Sequence, residues 1–197
     1  MRSKALWWAA GVAAVLVLTA GIRGLAQDEP AHFSGVINDY TPISTTTAWE
    51  LRGPWSLTLN GETGTADFSA ALTMEMSIVG QSPVNVGALT QHTHHIRMAH
   101  ASVDYSPSDC PLPASITPIP RIEVKGMATV AANGGPFPPS SPTPVPSPLQ
   151  VCIDGGTVFG TVVTYSNITL VFGPRASGHF GPQAIHGVVS EANRRQD

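Results

Sequence analysis

Charge is scarce in this chain. Ten basic and thirteen acidic side chains occur among 197 residues, 12% in all, about half the roughly 25% of an ordinary globular protein. The basic residues stand singly except for Arg194 and Arg195 in the tail. Clustered Lys and Arg that would neutralise a phosphate backbone are therefore missing, which argues against nucleic acid as a partner. Cysteine is limited to Cys110 and Cys152, without the close Cys-x-x-Cys spacing of a reactive thiol pair. The sequence has no amphipathic helical periodicity of any length and no repeat of fixed period, so propellers and solenoids are out. It also lacks a Gly-x-Ser-x-Gly elbow, a phosphate loop, a dinucleotide fingerprint and a His-Glu-x-x-His helix. The sequence assigns no enzyme class.

What is present begins with a leader. Arg2 and Lys4 make a basic start, and Ala5 to Ile22 runs for 18 residues without a charge. Gly24, Leu25 and Ala26 then place small residues where a signal peptidase reads, ahead of polar Gln27, Asp28 and Glu29. Residues 1–26 read as a signal peptide cleaved after Ala26. The alternative is a signal anchor, since 18 apolar residues are just long enough to cross a bilayer. Either outcome puts residues 27–197 in the periplasm or outside the cell, with membrane contact only through an uncleaved leader. No cysteine follows the apolar run to accept a lipid. Without residues 1–26 the chain keeps seven basic against thirteen acidic side chains, a formal charge of −6.

The remainder has the size of one domain and the rhythm of strands. Trp49, Leu51, Gly53, Trp55, Leu57 and Leu59 alternate with polar residues, and so do Ala66, Phe68, Ala70, Leu72, Met74, Met76 and Ile78. A twofold period puts each set on one face of a strand. Asn60, Gly61 and Gly64 supply a hairpin turn between them. Further strands are expected at 32–37, 91–101, 122–130, 149–153, 157–164, 166–172 and 184–190, with a loose tail over 191–197. The expectation is an all-β domain of about eight antiparallel strands behind an N-terminal export helix. Strands of twelve or more residues favour a barrel, where long coiled strands close on themselves, over the alternative two-sheet sandwich. Pro136 to Pro148 holds seven prolines in thirteen residues, an extended surface loop that cannot join a ladder. Cys110 and Cys152 flank it, and an exported location favours their disulfide.

Six of the seven histidines fall within 91–100 and 179–186. On a strand, His92 and His94 share a face with Cβ atoms about 7 Å apart, so both imidazoles can reach one ion. Ile96 and Met98 mark that face as the inner one, with His100 further along it and His95 and Arg97 outside. His179 or His186, entering the last strand through a Gly and Pro turn, could add a third nitrogen, and three imidazoles with an open position suit zinc or copper. The His-x-His strand resembles that of cupin barrels, but Ile96, Arg97, Met98 and Ala99 stand where that family needs a glutamate. His179 to Pro182 resembles a piece of copper–zinc superoxide dismutase, yet only eleven residues follow His186, too few for that family's further metal-binding stretch. Asp67 and Glu75 lie on the polar face and read as surface charges, and Asn167, Ile168 and Thr169 form a glycosylation sequon.

Three functional readings follow. The first is a non-enzymatic binding or structural module of the envelope or extracellular space, with Trp49, Trp55, Phe68, Met74 and Met76 as core or ligand lining. The second is a metal-binding protein or metal-dependent enzyme using His92, His94 and His179 or His186. The third is an interaction protein that meets a partner through its Pro-rich loop.

Overall fold

The computed structural model describes residues 30–42, 44–78, 91–107, 110–111, 120–132, 135–136, 146–156, 158–159 and 162–194. The leader at 1–26 and most of the Pro-rich stretch lie outside the described residues. Strands dominate: β1 (Ala31–Pro42), β2 (Thr47–Asn60), β3 (Thr65–Ile78), β4 (His92–Asp104), β5 (Ile122–Ala132), β6 (Gly135–Pro136), β7 (Ser147–Asp154), β8 (Val158–Phe159), β9 (Val162–Val163), β10 (Asn167–Phe172) and β11 (Ile185–Arg194). One short helix, α1 (Pro174–Phe180), lies between β10 and β11. Among the described residues no helix is long and apolar enough to cross a membrane.

Each long strand pairs antiparallel with the next one in the chain, giving the order β4-β3-β2-β1-β11-β10-β7-β5, and β4 also pairs with β5. That last pairing closes a single sheet into an eight-stranded antiparallel barrel, so the two-sheet sandwich does not occur. Its interior is the set of alternating apolar residues. Leu51, Leu57, Leu72, Met74, Ile96, Val124, Val151, Ile153, Ile168 and Leu170 are all fully buried, as expected for eight strands, whose lumen is about wide enough for side chains to fill. Burial of each large apolar side chain contributes about 1.5–3 kcal/mol. Trp55 and Phe68 are buried with them, which gives them the core role.

Closure depends on a close approach. The register between β1 and β11 shifts between Ser34 and Gly35. A Cβ at Gly35 would lie 2.0 Å from the Val188 carbonyl oxygen, so only glycine lets the first and last strands meet here. The Trp55 indole donates to that same carbonyl at 3.2 Å, tying β2 across the seam.

Several expectations need correction. β11 runs on to Arg194 because its end is the partner of Ala31, so residues 191–194 are paired where looseness was expected, and 195–197 lie outside the described residues. Of the strand expected at 157–164, the described pieces β8 and β9 pair with each other outside the barrel order, since β10 already pairs directly with β7 from Asn167 opposite Asp154. His100 is exposed, with φ 52°. The ladders on both sides of β4 slip near it, the inner face passes to Ala101, which is buried, and the His100 amide donates to Asp67 Oδ1 at 2.9 Å. Such a bulge cannot be seen in a twofold pattern. Glu75, expected as a surface charge, is one: it pairs with Arg52 at 2.6 Å on the outer wall.

The disulfide joins Cys110 to Cys152. Cys152 lies opposite Glu123 on the outer side of β5 and β7, and both are buried. Lys125 Nζ at 2.9 Å and the Gln150 side-chain amide compensate the Glu123 carboxylate, as a buried charge requires.

Candidate metal centre

The barrel end that carries the site is formed where β1, β3, β5 and β10 finish and β2, β4, β7 and β11 begin. There Met74 pairs with His92 and Leu72 with His94, so the start of β4 points two imidazoles inward above the apolar core. His94 is fully enclosed, at 1% exposure; His92, one pair nearer the rim, is half-buried.

The third imidazole comes from α1. Pro174 sits at the first turn, where its missing N–H costs nothing. Gly173 accepts from the amides of Ala176 and Ser177 at 3.1 and 3.0 Å. Seven residues cannot hold a helix alone. Packing does so: Phe180 is buried and stacks on Phe172 with centroids 4.5 Å apart, and Ala176 is buried beside the barrel. Gly181 ends the helix at φ 95°, and a Cβ there would lie 2.0 Å from Thr41 Cγ2. Glycine at that corner therefore lets the helix drop into the barrel mouth.

His179 consequently meets both strand histidines. Its Nε2 lies 3.1 Å from His92 Nε2 and 2.9 Å from His94 Nε2, and all three ligand atoms fall within 4.8 Å of one another. Two nitrogens on a tetrahedral zinc, each about 2.0 Å from the ion, stand about 3.3 Å apart. The observed spacing is close to that. A ring nitrogen has one in-plane position, a donor or an acceptor, yet His179 Nε2 faces two equivalent nitrogens. Hydrogen bonding alone serves this arrangement poorly, whereas one cation engages all three lone pairs.

The surroundings keep His94 and His179 neutral. Burial, with the neighbouring His179, His92 and His95 adding, pushes the His94 imidazole down to about 3, and burial together with His92 pushes His179 down to about 4. Both rings therefore present lone pairs at neutral pH, the form a metal needs. Rings complete the shell: Trp49 lies edge-on to His92 at 5.5 Å, and Phe180 packs on His94 at 5.0 Å. Trp49 and His179 also line an open cleft of about 640 Å³.

A stability prediction follows from these shifts. Their folded values lie below the ordinary 6.5, so the unfolded chain takes up protons first as pH falls. The metal-free protein should lose stability from about pH 6.5 downward, continuing to about pH 3. His94 alone gives a slope of up to about 1.4 kcal/mol per pH unit. Urea unfolding at pH 7.5, 6 and 5 measures it, and His94→Gln should flatten the slope; an unchanged slope would count against the buried, neutral imidazole.

Of the four histidines expected from the sequence, His92, His94 and His179 are brought together. His186 is not: it is exposed on β11, where its Nδ1 bonds Asp39 Oδ2 at 2.9 Å and its amide bonds the same oxygen at 2.7 Å. The sequence reading missed Trp49 and Phe180 as site neighbours. Phe180, adjacent to His179 in a Gly-rich segment, was the available signal. Cys110, Glu123 and Cys152 also gather, but their sulfurs are joined to each other and offer no thiolate. No protein-family model, no curated protein and no solved structure matches the chain significantly.

Proposed function

We propose that the protein is an exported, non-enzymatic metal-binding module in which His92, His94 and His179 hold one divalent transition-metal ion through Nε2. The observation that carries this reading is the convergence of three ring nitrogens from two distant segments on one point. Zinc suits the spacing and the donor type, and copper is the alternative that imidazole donors also favour. The export reading rests on the apolar run at 5–22. A disulfide fits an oxidising compartment. The charged outer wall, with Arg52, Asp67, Arg97 and Lys125 exposed, fits an aqueous one.

The test is elemental analysis after dialysis against zinc and then metal-free buffer. One equivalent of zinc per chain is expected, and none in the double variant His92→Ala, His94→Ala. Native protein that retains no metal after exposure to either zinc or copper would end the proposal.

A further inference from the structure

We infer, resting on the metal reading above, that the cleft bordered by His179 and Trp49 seats a small aromatic carboxylate whose oxygen takes the open coordination position. The first ground is charge. All three donors are imidazoles, which bring no negative charge to an ion, and among the described residues no carboxylate or thiol joins them. A divalent ion held this way keeps its full double charge in a partly buried place, where an anionic fourth ligand is favoured over a neutral one.

The second ground is the cleft. Its volume of about 640 Å³ lies in the range of small-ligand sites. Pro42, Trp49, Pro174 and Pro182 give it rigid apolar walls, with Gln183 and Ser177 as polar points. The described lining has no Lys or Arg, so an anion entering there has the metal as its counter-charge. The third ground is the position of Trp49, whose ring belongs to the cleft wall and lies 5.5 Å from His92 and 6.2 Å from His179. A ligand bound to the ion through oxygen would have this indole beside its body, and a flat ring gains most from such a neighbour.

The experiment uses the full chain loaded with cobalt(II), whose visible absorption reports the coordination shell, titrated with benzoate, acetate and benzamide. Both carboxylates should change the spectrum, benzoate binding about tenfold tighter than acetate, while benzamide leaves it unchanged. Trp49→Ala and Trp49→Leu, each loaded with cobalt, should bind benzoate no tighter than acetate. A cobalt protein whose spectrum ignores both carboxylates, or responds equally to benzamide, overturns this inference and leaves the metal site standing. Failure to take up cobalt at all overturns both.

Discussion

Replacing His179 by alanine is expected to lower zinc affinity at least about a hundredfold while the barrel stays folded. Loss of a residue that merely supports a ligand costs 10–100-fold, so loss of one of three donors should exceed that. His179 is the cleanest of the three to remove, because it is half-buried on a short helix, whereas His94 is enclosed and its truncation also leaves a cavity. Gly181→Val tests the same point without touching a donor. Its side chain would meet Thr41 and would have to adopt a positive φ, so α1 must shift and carry His179 off the other two nitrogens. Competition against a chromophoric chelator measures both variants. Wild-type affinity in either one would mean that the helix does not contribute a ligand.

The second large effect concerns the bridge. The double variant Cys110→Ala, Cys152→Ala should lose about 4 kcal/mol, the chain-entropy value for a loop of 42 residues. For a domain of this size that lowers Tm by about 10 °C, readable by thermal melting followed in far-ultraviolet circular dichroism. Zinc affinity of the folded variant should be unchanged, because Cys152 faces outward beside Glu123 while the histidines face the lumen. A Tm equal to wild type would remove the bridge from the account of stability. A weakened metal site would show that the outer wall and the mouth are coupled.

The barrel was legible because its long strands are sorted residue by residue. From Leu51 to Met74 the alternating apolar positions became the lumen, and Asn60, whose side-chain oxygen accepts from the amides of Glu62 and Thr63, made the expected turn. His92 and His94 were legible for the same reason. The helix was not, because Pro174–Phe180 is too short to show a 3.6-residue period and its end is seated against Thr41, distant in sequence from His179. His100 was misplaced by a bulge that leaves no mark in composition. His186 attracted attention through its place in a His-containing segment, but its ring answers to Asp39, 147 residues away. The general limit is physical: periodicity reports which side of an element a residue occupies, while a three-donor site depends on where separate elements end.

X-ray absorption at the zinc edge of the loaded full-length protein reads the donor set itself. Three imidazole nitrogens at about 2.0 Å are expected, with one further light atom and no sulfur. A shell with sulfur, or with fewer than three imidazoles, would contradict the three-histidine site.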